Sequence, residues 1–211
     1  LVSLASSVIN PASRIMITKG SSDGVAFQYE NLTTAQKAFI DKNAAGTIDN
    51  CGSERVSYLR GDASHENASG TFTSTSTTTV NNFRVRTSSK LGDIVNSGPI
   101  YIGKPSAGYS DVDHPGYGAF KNNYKDRTPM VYVGANDGIL HGFNACIVGV
   151  TPGCTAADAG KELLAYIPSH VYENLSRLTD KDYNAGHRYF VDGSPMIADI
   201  YACSTSSWRS V

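Results

Sequence analysis

The side chains able to do chemistry in this 211-residue chain are few and scattered. Its five histidines, His65, His114, His141, His170 and His187, form neither an HxH nor an HExxH arrangement, the spacings that bring two imidazoles onto one metal. Asp111 and Asp113 alternate around Val112. An EF-type calcium loop needs a further oxygen at its fifth position and a late bidentate Glu, so this pair is a weak calcium candidate weighed against a solvated turn. Asp93, Asp137, Asp192 and Asp199 are read as turn aspartates that bond their own backbone, and none has a partner at fixed spacing that would mark a general acid or base. Arg84, Arg86 and Arg188 lie in strand-like runs from which they can bridge those aspartates. Ser194 stands before Pro195, which suits entry into a strand and not a nucleophile elbow. No GxSxG, P-loop or GxGxxG run occurs. The chain reads as non-enzymatic, with no catalytic residue, cofactor or metal of its own.

Two groups point instead to restraint or binding. Cys146 and Cys154 flank a short loop with Pro152-Gly153 just before the second cysteine, and this spacing and turn chemistry predict a local disulfide. Cys51 and Cys203 are left to pair with each other or with chain outside this sequence. The alternative is four buried, reduced thiols. No CxxC pair is present, which argues against zinc or thioredoxin-like chemistry. Arg60-Gly61-Asp62 is the tripeptide that integrins read in exposed loops, a candidate adhesion signal. It follows an apolar segment, Val56–Leu59, and the competing reading is scaffold: Arg60 pairs with a carboxylate or caps carbonyls, and Gly61 permits a bend.

With 18 basic and 19 acidic residues the net charge is −1, which argues against an electrostatic grip on nucleic acid or on an anionic membrane. No apolar run approaches the roughly 20 residues of a transmembrane helix. Leu1–Ile9 has no charged leader, so the chain is expected to be mature or a cut fragment. Trp208–Val211 follows a strand pattern without a cap, and truncation is expected there. The even cysteine count in Ser/Thr/Asn-rich surroundings favours a secreted or periplasmic protein.

The elements that must position these residues are mostly strands. Met130–Gly134 and Ile139–Phe143 flank Asn136-Asp137-Gly138, a hairpin whose Asp-Gly pair predicts a type I′ turn. Arg14–Thr18, Val25–Tyr29, Pro99–Gly103, Glu162–Pro168, Arg188–Val191 and Met196–Tyr201 read as further strands. Two short helices are expected. One runs from a Thr33 or Thr34 cap to about Lys42, with Ala35, Ala38 and Phe39 on one face. The other is capped by Ser169, runs from His170 to about Leu178 and buries Val171, Leu175 and Leu178. Residues 63–82, rich in Thr and Ser, read as an exposed mobile loop, and Lys104–Thr128 as a long loop with three tyrosines, Tyr109, Tyr117 and Tyr124. Pro99–Gly103, Met130–Gly134 and Pro195–Tyr201 look like inner strands of successive blades. The expected class is all-β, a partial β-propeller with long loop insertions.

Val131–Ala145, VYVGANDGILHGFNA, closely resembles the central motif of the PilY/PilC family, type IV pilus biogenesis factors with a C-terminal β-propeller. Tyr58–Asp62, Phe83–Arg86, Leu91–Pro99, Glu162–Ser169 and His187–Pro195 stand in that family's order. The match is best over 56–201, and residues 1–211 are taken as one fragment of the propeller. The resemblance implies a quinoprotein-like fold whose blades carry a turn resembling Ala-x-Thr-Gly-Lys. Asn144-Ala145 and Gly160-Lys161 look like its halves, with Cys146–Ala159 inserted. It also implies a protein at the pilus tip, outside the cell or on its surface, reached through the periplasm and outer membrane. There it would support pilus assembly, oppose retraction and aid attachment, with minor pilins, the tip complex and a host or abiotic surface as partners. Some members of that family carry a calcium loop beyond this region, so the resemblance implies that any calcium is held by a part of the family domain outside this sequence. The alternatives are a quinone-dependent dehydrogenase, which needs a carboxylate metal cluster and a catalytic Asp, and a purely structural scaffold for minor pilins. The Thr-rich loop, the Tyr109–Tyr124 loop and the Cys146–Cys154 insertion are the candidate binding surfaces.

Overall fold

The computed structural model describes residues 10–211, so the expectation placed on Leu1–Ile9 falls outside the described residues. In chain order the strands are β1 (Met16–Lys19), β2 (Gly24–Ala26), β3 (Thr71–Thr73), β4 (Thr79–Asn81) and β5 (Ile100–Ile102). They continue with β6 (Met130–Gly134), β7 (Leu140–Asn144), β8 (Glu162–Ile167), β9 (Asp199–Ala202) and β10 (Ser207–Ser210). The helices are α1 (Thr34–Ile40), α2 (Gly52–Leu59), α3 (Tyr117–Asn123) and α4 (Tyr172–Leu175), with short 3₁₀ turns beside them. The chain is mostly strands with a few short helices.

β5, β6, β7 and β8 form an antiparallel meander. β1 joins β8 in parallel, and β2 pairs with β1, giving a six-stranded sheet in the order β2-β1-β8-β7-β6-β5. The hairpins β3-β4 and β9-β10 stand apart as two-stranded sheets. Among the described residues no closed propeller forms. The expected repeat is corrected here, because β5 and β6 pair with each other in one sheet. They are neighbours within a unit and not equivalent inner strands of two blades.

The central hairpin forms where the sequence places it, with a different turn. Gly138 has φ +86°, whereas Asp137 does not adopt positive φ. Gly138 N–H donates to the Ala135 carbonyl at 3.3 Å, and Ala135 N–H to the Ile139 carbonyl at 3.0 Å. This is a three-residue loop, a type I turn closed by a left-handed glycine, and not the expected two-residue type I′ turn. The third loop residue removes the need for positive φ at Asp137.

Helices cover one face of the sheet. α1 starts as expected: Thr33 and Gln36 form a reciprocal capping box. Its buried residues are Gln36 and Ile40, one turn apart, while the expected face of Ala35, Ala38 and Phe39 is exposed. Val56–Leu59 belongs to α2, which is buried almost all round through Glu54, Arg55, Val56, Tyr58 and Leu59. Gly52 opens it against the Asp41 carboxylate, which accepts Gly52 N–H at 3.2 Å and the Tyr29 hydroxyl at 2.8 Å. Val171, Leu175 and Leu178 are buried as expected, but the helix is broken into 3₁₀ and α turns and Ser169 makes no cap bond. These side chains join Met16, Phe27, Ile139 and Ile167 in the main core. On another part of the sheet Val133 and Phe143 pack with Leu91.

The expected loops hold structure. Within 63–82, the hairpin β3-β4 carries Phe72 onto Phe83 with ring centroids 5.2 Å apart, and Thr75 N–H donates to Glu54 at 2.7 Å. The segment is therefore tied to the core and is not the free loop expected. Lys104–Thr128 contains α3, which buries Tyr117 and Phe120. Conversely, Arg188–Val191 is not a strand. Its place beside β6 is held by the Val191 N–H bond to the Ala135 carbonyl at 3.4 Å.

Candidate functional site

Beneath the central hairpin lies a buried ionic chain. His141, on β7, has no exposed surface. Its Nδ1 lies 2.7 Å from Glu162 on the neighbouring β8, and its Nε2 lies 3.1 Å from Asp137 in the turn. Glu162 is also held by both Nε and Nη2 of Arg14, at 2.5 and 2.9 Å. Burial alone would lower the His141 pKa, but the charge and hydrogen bond of Asp137, followed by those of Glu162, push it up to about 9. Burial likewise opposes ionisation of Asp137 and Glu162, and His141 with Arg14 reverses this, leaving both carboxyls below their usual range. Two cations and two anions thus balance. Asp137 does bond its own turn, accepting Ile139 N–H at 3.2 Å, and it also accepts Gly92 N–H at 3.0 Å. The arrangement locks a turn to a sheet, and the imidazole itself is fully buried.

The other aspartates also bridge distant segments. Asp93 accepts from Asn136 Nδ2 at 2.8 Å and contacts His187 Nε2 at 3.1 Å. Asp192 takes Asn96 N–H at 3.0 Å, Ser97 Oγ donates to the Gly193 carbonyl at 3.0 Å, and Ser194 Oγ accepts Gly98 N–H at 2.7 Å. Ser194 is therefore part of a strap between residues 96–98 and 192–194. Arg84 and Arg86 do not reach these aspartates, contrary to expectation. Arg86 pairs with Glu66 at 2.5 Å, Arg84 donates to the Leu178 carbonyl at 3.2 Å, and Arg188 is exposed.

Arg60-Gly61-Asp62 is not displayed. The Arg60 guanidinium is buried and donates to the carbonyls of Phe27 at 3.1 Å, Pro11 at 2.6 Å and Arg14 at 2.9 Å. Gly61 turns the chain at φ +111°, and Asp62 accepts Ser64 N–H at 2.8 Å. A receptor that reads this tripeptide needs the guanidinium free, so the adhesion candidate is corrected to a carbonyl-capping arginine.

Asp111 and Asp113 are exposed and committed locally. Asp111 accepts the N–H of Gly118 in the first turn of α3 at 2.8 Å, and Asp113 bonds the Ser110 hydroxyl at 3.0 Å. A carboxylate there complements the helix dipole. Among the described residues no group of three His, Cys, Asp or Glu side chains could hold a metal ion.

Of the three candidate surfaces, the Tyr109–Tyr124 loop is largely a seat for the last hairpin. Trp208 of β10 packs on Tyr117 at 4.9 Å and Tyr109 at 5.4 Å, and its indole N–H donates to the Pro115 carbonyl at 3.1 Å. The Tyr117 hydroxyl donates to Asp199 of β9 at 2.6 Å; burial and that carboxylate push its pKa up to about 12. The Thr-rich segment is tied down, as described. The Cys146–Cys154 insertion remains a projecting surface. Asn144 N–H donates to the Lys161 carbonyl at 2.8 Å and Gly160 N–H to the Asn144 carbonyl at 2.9 Å, so the ladder closes at the neck and 146–159 leaves it as an excursion. A disulfide joins Cys146 to Cys154, with Cα atoms 5.9 Å apart. Between them Ile147, Val148 and Val150 are 59, 53 and 74% exposed. Beside the loop is an open groove of about 610 Å³ bounded by Tyr101, Lys104, Lys125 and Arg127. Cys51 and Cys203 do not pair, since the first is buried and the second exposed, both as free thiols.

The sequence offered signals for the disulfide and the turn aspartate. His141, Glu162 and Arg14 were missed as partners because their association depends on strand order. Among the described residues no helix is long and apolar enough to cross a membrane.

Comparison with known proteins gives one family. The family model described as PilY1 beta-propeller domain matches residues 91–211. The type IV pilus biogenesis factor PilY1 of Pseudomonas aeruginosa strain PAK is 37% identical over 206 residues, covering 93% of this chain and 15% of that protein. A PilY1 homolog of Xylella fastidiosa strain Temecula1 is 38% identical over 190 residues, covering 87% of this chain and 13% of its own length. The chain thus spans less than a sixth of the length of these relatives. No solved structure matches it.

Proposed function

The chain belongs to the family of the PilY1 beta-propeller domain, and on that premise we propose that it is a non-enzymatic part of a type IV pilus biogenesis factor. It forms part of a quinoprotein-like propeller, acts outside the cell at or near the pilus tip, supports pilus assembly, opposes retraction and aids attachment to host or abiotic surfaces. Minor pilins of the tip complex are its partners. Binding runs through loops on a rigid strand frame, a common division of labour. One observation carries this reading for the present segment: the disulfide-closed excursion with three exposed aliphatic side chains, Ile147, Val148 and Val150, at its tip. Aliphatic groups grouped on a restrained loop are contact surface prepared in advance.

The test replaces residues 147–153 with a short Gly-Ser bridge in the protein as the cell makes it, then measures piliation and surface attachment separately. Normal piliation with reduced attachment is expected. Reduced piliation with attachment per remaining pilus unchanged would reassign the loop to a purely structural role among minor pilins. Normal values of both would remove the loop from the function.

A further inference from the structure

The run Phe83–Lys90 contributes nothing to the contact surface proposed above, yet it concentrates positive charge in a recess. A cleft of about 330 Å³ opens between this run, the end of α2, the turn at Asn136-Asp137 and the segment Tyr183–His187. Three cationic side chains, Arg84, Arg86 and Lys90, line it. Arg86 and Lys90 have side chains only 8 and 12% exposed, and both pair with the single carboxylate Glu66, at 2.5 and 2.7 Å. Arg86 also donates to the Asp62 carbonyl at 3.1 Å and lies 3.6 Å from the centre of the Tyr58 ring. Arg84 lies 4.6 Å over the Tyr183 ring and donates through Nε to the Leu178 carbonyl. Among the described residues no carboxylate forms an ion pair with it.

The charges do not balance within this recess. Glu66 neutralises one of its two cations, Arg84 adds another and the Asp93 carboxylate on the same wall offsets one, leaving a local excess of one positive charge. Asp93 on the same wall is engaged by His187 and Asn136, and Asp137 by His141. Cations withdrawn from water are costly unless an anion matches them. With its Nε bonded to a carbonyl and its Cζ over an aromatic ring, the Arg84 guanidinium keeps terminal N–H groups that can donate to two oxygens of one group. Thr87 and Ser88 add exposed hydroxyls at the rim. The volume is at the lower end of small-ligand sites.

We propose that this cleft is a binding site for a small oxyanion, a carboxylate or phosphate group, held by Arg84 and Lys90 with Arg86 fixed behind them. Arg84 receives the anion and Glu66 keeps Arg86 and Lys90 in place. The site is separate from the disulfide loop and does not depend on it.

Titration of the whole chain with inorganic phosphate and, separately, with acetate tests this at constant ionic strength set by chloride. Amide resonances are followed by ¹⁵N-edited NMR. Saturable shifts centred on Thr87–Leu91 and Tyr183–His187 are expected with at least one of the two anions; which of them binds decides between the phosphate and carboxylate forms. The Arg84→Gln variant is expected to weaken that affinity by about tenfold or more, the loss of one charge-assisted hydrogen bond. Lys19→Gln, an exposed cation at the end of β1, is expected to bind as the parent does. If Arg84→Gln fails to fold, the parent titration still decides. Shifts spread evenly over surface lysines, or no saturable shift with either anion, would overturn the proposal, as would equal affinity in a folded Arg84→Gln variant.

Discussion

His141 sits where a charged group is least expected, with no exposed surface on a central strand, and it is held there by two carboxylates. The folded state binds its proton more tightly than the unfolded chain does, since its pKa rises from 6.5 to about 9. Its contribution to stability is therefore complete below pH 6.5 and is lost as pH rises through about 9. Asp137 and Glu162 act in the opposite sense. Their pKa values are lowered on folding, so their contribution is present above the usual carboxylate range and is lost as pH falls through their lower folded values. Urea midpoints are expected to hold level from about pH 5 to 6.5 and to decline toward pH 9. The His141→Gln variant is expected to lose that alkaline slope. It is also expected to lose about 3 kcal/mol or more at pH 6, because two buried carboxylates lose their shared cation. An unchanged slope in the variant would mean that another group carries it. Little of this was legible in the sequence. Asp137 was recognisable as a turn residue, but Arg14 and Glu162 are 148 positions apart, and only the parallel pairing of β1 with β8 brings them together.

At the scale of elements, legibility followed local chemistry. The Asp-Gly hairpin, the Thr33 capping box and the closely spaced cysteines each act within a few residues, and each formed close to where it was expected. α2 was missed because Val56, Ser57 and Tyr58 have no preference for helix over strand. Its helical state comes from burial on nearly every side and from Asp41 meeting Gly52 N–H. The turn type was missed because Asp-Gly serves both two- and three-residue loops. Two glycines separate the contributions at such turns. Gly138 and Gly149 both have positive φ, +86° and +79°. A Cβ on Gly138 would lie 2.7 Å from Leu175 Cδ2, whereas one on Gly149 would meet nothing within 4 Å. Gly149→Ala is expected to cost about 1 kcal/mol from backbone strain alone. Gly138→Ala should cost measurably more, because it also displaces α4 from the turn. Equal costs by urea unfolding would show that α4 yields freely. Reducing the Cys146–Cys154 disulfide is expected to lower stability by about 2–3 kcal/mol in a chain-entropy account of so short a loop.

Taken together, the described residues form an open sheet carrying two separate hairpins, and stability should be uneven for that reason. β1, β8, β7 and β6 each have a strand on both sides and helices over the core. Among the described residues β3-β4 and β9-β10 have no third strand, and an isolated two-stranded ribbon is marginal in water. Their attachments also differ. β3-β4 is fixed through Phe72, Phe83 and the Glu54 carboxylate, which reach the main core. β9-β10 rests on Trp208 against the Tyr109–Tyr117 aromatics and on the bond between Tyr117 and Asp199, outside that core. The sequence showed the strands of this last hairpin but not their separation, since strand order depends on contacts that periodicity does not encode. Native-state hydrogen exchange on the whole chain should accordingly give three tiers. Amides of β1, β6, β7 and β8 should exchange only through global unfolding, those of β3-β4 through a smaller opening, and those of β9-β10 fastest. Trp208→Ala removes the aromatic seat, so it should release β9-β10 further while leaving the exchange of β7 and β8 unchanged. Slowed exchange of β7 and β8 lost together with that of β9-β10 would instead show that the last hairpin and the central sheet unfold as one unit.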